Sequence, residues 1–356
     1  MRPHHLLLTI ALLLPPLFGH SQANFKPLDQ WLDQHAPIMG GRAYLVLYKD
    51  GKIVYSHGAG QLNGRQKFGL KMMAQMFGQT PDLNPFTSSS KIPIASCSKW
   101  LSAALVMTFV DEGKLRLTDT VGTWLPVLTQ HGKGNITISQ CLSHLTGIKA
   151  PPIRKGFKEE ARMSSMDNAI AGIADMPMEG KPGTVFHYSN LGFQIAGAVL
   201  EKISGSDFRT LFKQRISDPL DMPNTDFGDA AVPVPAGSGN STPDDYIHFL
   251  AMILNKGMYN GKRILSEESV AAMQVNLLTP DIRISFSPAA DVSFGYGLGE
   301  WTLGTHTVTS PGIFGSFPWV NKEKHYAGFL LGFYFQQDDR NKRYIELEKL
   351  VDQTLP

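Results

Sequence analysis

Cysteine is scarce in this chain, which has only Cys97 and Cys141 among 356 residues. Two cysteines permit at most one disulfide, so a scaffold held together by several disulfides is excluded. A Cys97–Cys141 bridge and a pair of buried free thiols both remain open, because free cysteine is often buried. HExxH and Cys/His clusters with zinc spacing are also absent, so we expect no metal and no cofactor.

An excess of charge of one sign is lacking as well. The sequence has 33 Lys and Arg against 31 Asp and Glu, a formal net charge of +2. This balance offers no electrostatic basis for binding nucleic acid. After the first 23 residues, no apolar run is long enough for a transmembrane helix. We therefore expect neither a nucleic-acid partner nor a membrane span.

Residues 1–23 have the pattern of a secretion signal. Arg2 precedes the apolar run 6–14, Pro15 and Pro16 follow it, and Ser21-Gln-Ala23 offers small residues for a signal peptidase. The run is short for a bilayer span, although an uncleaved N-terminal anchor is the alternative. We expect cleavage after Ala23 and a periplasmic or secreted protein.

The order of predicted elements indicates an α+β fold. Strands and a helix are predicted near both ends, and helices in the middle. The simplest packing is an antiparallel sheet flanked by N- and C-terminal helices, with a large, mostly helical insertion. We predict a sheet domain from residues 24–90 plus 280–356, a helical domain from residues 91–279, and an active site in the crevice between them.

Three segments of the chain have local patterns that predict their secondary structure. Asp50-Gly51 between two β-rich runs predicts a hairpin. Residues 60–90, rich in Gly, Gln, Pro and Ser, are expected to be irregular. Residues 314–320 and 327–335 are expected to be strands, followed by a closing helix over residues 343–351.

A candidate nucleophile opens the most apolar predicted helix. Ser96 precedes residues 100–110, which are apolar on every face, so the helix should be buried. Lys99 follows three residues later on the same face, where apolar surroundings would lower its pKa and let it accept a proton. The spacing also fits a helix cap followed by a surface lysine. A second copy of the pattern, Ser88 to Lys91, is disfavoured because Pro93 would interrupt a helix there.

Tyr188-Ser-Asn190 is the only Tyr-x-Asn in the chain. A phenol near a lysine ammonium loses its proton more easily, and an asparagine amide can bind polar groups of a substrate through both donor and acceptor. The alternative is a buried structural ring beside a helix cap.

A third element is expected where a backbone N–H could complete an oxyanion hole with that of the nucleophile. Ser310-Pro-Gly312-Ile313 is the candidate, since a glycine lets substrate approach the backbone closely. An ordinary loop before a strand is the alternative.

Together, these segments resemble the serine β-lactamase and penicillin-recognising superfamily, specifically its class C, esterase-like branch. The similarity covers nearly the whole mature chain in motif order and spacing. It includes Ser96–Lys99, residues 136–147, Gly183–Asn190, residues 241–245, residues 296–299 and the Phe314-Gly-Ser316 segment.

The resemblance implies a role for each motif. Ser96 would be acylated, while Lys99 and Tyr188 would shuttle its proton. Asn190 would orient the acyl side chain, and the N–H groups of Ser96 and Ile313 would bind the oxyanion. His144 is typical of the family and is expected to be structural.

One departure from the family bears on the substrate. Efficient β-lactamases usually carry Lys-Thr-Gly at the third element and many esterases carry His-x-Gly, whereas this chain has Ser310-Pro-Gly312. Without that cation a substrate carboxylate loses a charge-assisted contact. We therefore expect a small-molecule ester, amide or β-lactam substrate, with hydrolysis of an ester or amide favoured.

Two other functions remain open. One is a β-lactamase or D-alanyl-D-alanine peptidase in which Arg283 or Lys322 replaces the missing lysine. The other is a non-catalytic binding or sensor domain that is acylated without turnover.

Overall fold

The computed structural model describes residues 23–76, 81–289, 293–335 and 339–355. The expected signal peptide, except for residue 23, lies outside the described residues. The helices of the described residues are numbered α1 to α12 in chain order. They are Lys26–His35, Gly64–Met76, Cys97–Asp111, Pro126–Gln130, Ile138–Leu142, Ile153–Glu160, Met166–Ala174, Leu191–Ser204, Phe208–Phe212, Pro243–Leu254, Glu267–Met273 and Arg340–Thr354. A 3-10 turn over Val121–Thr123 and a π-helical turn over Lys213–Ser217 accompany them.

The strands run from β1 to β13 in chain order. They are Ala43–Lys49, Lys52–Ala59, Ile92–Pro93, Val185–His187, Asn240–Ser241, Met258–Tyr259, Lys262–Arg263, Arg283–Phe286, Gly295–Tyr296, Trp301–Leu303, Thr307–Thr309, Phe317–Asn321 and Tyr326–Gly332. None of the helices in the described ranges is both long and apolar enough to cross a bilayer.

An antiparallel sheet joins the two ends of the chain, which confirms the predicted fold class. Its seven strands have the order β2-β1-β13-β12-β11-β10-β9. In the β1–β13 pair, Ala43 lies opposite Gly332 and Lys49 opposite Tyr326. The predicted hairpin links β1 to β2, and Asp50 and Gly51 both have positive φ, as a type I′ turn requires.

Alternating side chains of β1 bury both faces of the sheet. Leu45 and Leu47 pack with α1 and α12 on one face. Val46 points to the other face and joins the core built by α3 and α10. This period of two is what a strand buried on both sides requires.

Helix α3 is buried along nearly its whole length, as its apolar sequence predicts. Every residue from Cys97 to Phe109 is buried.

Helix α10 begins with residues that are typical of a helix start. The Thr242 hydroxyl accepts a hydrogen bond from the Asp245 N–H at 3.1 Å, and Pro243 occupies the first turn.

The prediction of an irregular segment over residues 60–90 is wrong for α2. Asn63 and Gln66 begin this helix with reciprocal side-chain to backbone hydrogen bonds, both 2.9 Å long. The pair is an Asn version of the capping box, a start signal outweighed in the sequence by the glycines at 64 and 69.

The strand predicted from residue 314 begins later, at Phe317. Residues 312–315 form a turn in which the Gly315 N–H donates to the Gly312 carbonyl at 2.9 Å. Gly315 has φ +104°, and a Cβ there would lie 2.3 Å from the Tyr334 ring. This turn places residues 312 and 313 beside the start of α3.

Candidate active site

A cavity of about 900 Å³ opens at the N-terminal end of α3. Its walls come from α6 and the segment preceding it, residues 187–191, residues 286–289, the loop 309–314, and the first residues of α12. Ser96, Tyr188, Asn190, Gly312 and Ile313 all line it.

Ser96 lines this cavity, and Lys99 contacts this serine from the buried side. Ser96 is the N-cap of α3, but its side chain makes no capping hydrogen bond. Lys99 Nζ is 3.1 Å from Ser96 Oγ, and it also contacts Asn190 Oδ1 and the Ala236 carbonyl, each at 3.0 Å. Lys99 is fully buried rather than a surface charge.

Burial lowers the pKa of Lys99 to about 7, because the low-dielectric interior disfavours the ammonium form. The Glu160 carboxylate, and to a lesser extent Cys97, oppose this effect. Near neutral pH, a large fraction of Lys99 is therefore a neutral amine that can accept a proton.

Tyr188 completes the contact around Ser96. Its side chain lies close enough to that of Ser96 for the serine to lower the pKa of the phenol, and its ring centroid lies 4.8 Å from Lys99 Nζ. The expectation that the phenol would lose its proton easily is wrong, because burial raises the pKa of Tyr188 and outweighs the lowering effect of Ser96. At neutral pH Tyr188 is therefore a protonated phenol.

Aromatic neighbours hold the Tyr188 ring. Trp301 stacks on it with centroids 5.2 Å apart, and His144 packs against it at 4.4 Å. His144 Nε2 lies 2.9 Å from the Tyr296 hydroxyl, and its Nδ1 accepts from the Ser189 N–H at 3.3 Å. Burial lowers the pKa of His144 well below its usual range, so this ring is neutral and holds the segment that carries Tyr188.

Asn190 bridges Lys99 to a carboxylate that the sequence analysis did not single out. Its Nδ2 donates to Glu160 Oε1 at 2.7 Å, while its Oδ1 accepts from Lys99. The side chain makes no capping bond at the start of α8. Glu160 was missed because the charged run 154–160 is typical of a solvated helix face.

Gly312 and Ile313 reach the cavity, whereas Ser310 lies behind it. Ser310 is 1% exposed, and its hydroxyl is 3.1 Å from the carbonyls of both Ser96 and Gly299. It therefore ties the end of β11 to the start of α3. A Cβ on Gly312 would lie 2.4 Å from the Ile94 carbonyl, so glycine permits this close approach.

Neither cation suggested by the sequence as a replacement for the missing lysine lines the cavity. Arg283 donates to the Glu179 carbonyl at 3.1 Å, and the backbone N–H of Lys322 donates to the His306 carbonyl at 2.9 Å, in the turn between β10 and β11. Among the described residues, the Lys and Arg side chains lining the cavity belong to Lys149 and Arg340.

The structure also distinguishes the alternatives for the second S-x-x-K and for the two cysteines. Lys91 of the second S-x-x-K pairs with Asp226 at 2.5 Å, and no helix forms at Ser88. Cys97 and Cys141 are both free and buried. No cluster of metal-ligating side chains occurs among the residues the structure describes.

A sequence model described as beta-lactamase matches residues 36–355. The chain belongs to the β-lactamase family. A putative β-lactamase from Bacteroides dorei DSM 17855 is 26% identical with a TM-score of 0.76, and the alignment covers 94% of this chain and 99% of that one. Protein Rv1367c from Mycobacterium tuberculosis H37Rv is 26% identical over 66% of this chain and 73% of its own length.

A family VIII carboxylesterase shares the fold, with a TM-score of 0.71, 18% identity, and coverage of 92% and 97% of the two chains. The proteins that this chain resembles thus include one named as a carboxylesterase and one from Escherichia coli K12 named as a putative D-alanyl-D-alanine carboxypeptidase. The latter is 24% identical over 60% of this chain and 49% of its own length.

Proposed function

We propose that this β-lactamase family member is a serine hydrolase that cleaves an ester or amide through an acyl-enzyme on Ser96. The observation that carries the proposal is the contact of Ser96 Oγ with both Lys99 Nζ and Tyr188 at a cavity wall. A hydroxyl becomes an effective nucleophile when an adjacent base can take its proton.

The three contacts of Lys99 explain how it can act as that base. As an ammonium, Lys99 donates one hydrogen to each of three acceptors. As a neutral amine it retains two hydrogens for Asn190 and Ala236 and directs its lone pair at Ser96, whose hydroxyl then donates. Depression of the pKa to about 7 makes this neutral form accessible.

In the first step, Ser96 Oγ attacks the substrate carbonyl as its proton passes to Lys99. The N–H groups of Ser96 and Ile313 stabilise the resulting oxyanion. Neither N–H has a hydrogen-bond acceptor within the described ranges, and both residues line the cavity. The bond from the carbonyl carbon to the leaving oxygen or nitrogen then breaks.

The protonated Tyr188, whose ring centroid lies 4.8 Å from Lys99 Nζ, donates a proton to the leaving group and regains one from Lys99. In the second step, water attacks the acyl carbonyl, and its proton returns to Ser96 through the same groups. An ester or amide is thereby converted to an acid and an alcohol or amine. General acid–base assistance of this kind contributes about 10²- to 10⁴-fold in rate.

The polar contacts near the oxyanion groups favour a substrate without an obligatory carboxylate. Ser310-Pro-Gly312 carries no cation, and Arg340 donates to the carbonyls of Ile313 and Tyr334 at 2.7 and 3.0 Å. Lys149 supports the second candidate, because it is exposed and lines the cavity, where it could contact the carboxylate of a β-lactam or a D-alanyl-D-alanine peptide.

The test is intact-mass analysis after reaction with a fluorophosphonate, combined with steady-state turnover of p-nitrophenyl esters and nitrocefin. We expect one label per chain, its loss in Ser96→Ala, and ester turnover exceeding nitrocefin turnover. Ser88→Ala, in the second S-x-x-K, is the matched control and should label normally. Labelling of Ser96→Ala, or stoichiometric labelling without turnover of any ester, would contradict the proposal.

A further inference from the structure

Glu160 is a carboxylate on the cavity wall that the acyl-transfer steps above do not use. It is the last residue of α6 and lines the cavity beside Asn190. Its Oε1 accepts from Asn190 Nδ2 at 2.7 Å, and Asn190 Oδ1 accepts from Lys99. Glu160 is therefore connected to the base of Ser96 through a single amide, on the side where Asn190 would face the acyl group.

None of the basic side chains that the structure describes forms an ion pair with Glu160. The nearby Lys155 pairs instead with Glu159, at 3.7 Å. A partly buried carboxylate is an acceptor only, and its charge is stable when a donor or cation accompanies it. Burial accordingly raises the pKa of Glu160, with the Asn190 hydrogen bond and the Lys99 charge opposing that rise.

We propose that Glu160 binds a protonated amine on the acyl part of the substrate, so that aminoacyl esters or amides are preferred. This inference rests on the proposed function, because it assigns the acyl group of the same reaction. The carbonyl would occupy the position beside Ser96 Oγ and the N–H groups of Ser96 and Ile313. The ammonium would then lie against Glu160 and Asn190, which offer acceptor oxygens.

The charge of a bound ammonium would also act on Lys99. The Glu160 carboxylate raises the pKa of Lys99 and so opposes the effect of burial. An ammonium beside Glu160 offsets that negative charge and favours the neutral amine of Lys99. Glu160 would therefore contribute to both the binding of an aminoacyl substrate and the activation of Ser96.

The experiment compares alanine benzyl ester, as each enantiomer, with benzyl propionate, which lacks only the amine. The measured quantity is the ratio of kcat/KM values at pH 7. We expect the wild type to favour one alanine ester by at least tenfold. Glu160→Gln, which keeps an acceptor for Asn190, should reduce that ratio at least tenfold, equivalent to about 1.4 kcal/mol.

Glu159→Gln is the matched control, because it removes the same charge one residue away without altering the cavity wall. Its ratio should stay within about twofold of the wild-type value, and thermal melts should show that both variants fold. Using a ratio cancels any general loss of activity in a variant.

Two outcomes would overturn the inference alone: the wild type hydrolyses the esters without preferring either alanine ester to benzyl propionate, or Glu160→Gln retains the preference. The first needs no variant, so it applies even if Glu160→Gln does not fold. Hydrolysis of none of the three esters, together with no label on Ser96, would instead overturn the proposed function, and this inference with it.

Discussion

At the scale of single residues, the site depends on a buried lysine that can be either charged or neutral. Lys99 is fully buried, yet three oxygen atoms surround Nζ, so either protonation state has hydrogen-bond partners. His144 is buried and Tyr188 is partly buried, and desolvation shifts the pKa of each so that its neutral form is favoured. Proton transfer is thereby concentrated on Lys99 and the hydroxyls that contact it.

This leads to a prediction for the dependence of activity on pH. With a neutral ester, kcat/KM should fall about tenfold per pH unit below pH 7, because protonation of Lys99, whose pKa is about 7, removes the base. Glu160→Gln should shift this limb to lower pH, since the carboxylate raises the pKa of Lys99. A pH profile from 5 to 9 measures both effects, and a flat profile across pH 5–8 would rule out Lys99 as the base.

At the scale of secondary-structure elements, a glycine contact between α5 and α8 supports the position of Asn190. A Cβ added to Gly192 would lie 2.1 Å from the Cys141 carbonyl, so the helices approach closely only with glycine there. Asn190 immediately precedes α8, and any displacement of this helix would move the amide away from Lys99 and Glu160.

The matched substitutions Gly192→Ala and Gly172→Ala should change stability in opposite directions. Gly192→Ala should lower the free energy of unfolding by about 1–3 kcal/mol through overpacking, and should also reduce kcat. Gly172 lies in α7, where an added Cβ has open space, so alanine should stabilise the helix by up to about 1 kcal/mol. Denaturant unfolding measures both changes, and stabilisation by Gly192→Ala would refute the packing argument.

At the scale of the whole molecule, a buried carboxyl lies close to the contact between the sheet and α3. Glu300 is fully buried, directly before β10, and the preceding glycine packs against the Lys99 carbonyl and the Ala103 side chain. Burial raises the pKa of Glu300 well above its ordinary value, despite the opposing effects of Lys322 and Trp100. Folding therefore favours the neutral form of this carboxyl.

Stability should consequently depend on pH through Glu300. Because folding raises the pKa of Glu300, ionisation of this carboxyl favours the unfolded state. The contribution of Glu300 to the free energy of unfolding is therefore fully present below the unfolded pKa of 4.5, and it is lost as pH rises toward the folded pKa. Relative to Glu300→Gln, the wild type should lose up to about 1.4 kcal/mol per pH unit above that point. Denaturant unfolding of both proteins at pH 5, 6, 7 and 8 measures the gap, which would stay constant if Glu300 did not titrate this way.

Local sequence signals account for much of the fold. The hairpin at Asp50-Gly51, the buried α3 and the cap of α10 each follow from chemistry within a few residues. Helix α2 was missed because its Asn63–Gln66 cap competes with glycines that argue against a helix. Glu160 was missed because nothing in its neighbouring sequence indicates that α6 turns this residue toward a cavity.

The sequence by itself determined the pairing of Ser96 with Lys99, since a spacing of three on a helix places both side chains on one face. Only the tertiary structure decided which groups surround that pair. Tyr188 and Asn190 come from one segment, and Glu160 and Ile313 from two others. Burial at their meeting point sets whether Lys99 is charged and Tyr188 neutral. A pKa depends on the solvent and charges excluded around a group, and those are established only when distant parts of the chain pack together.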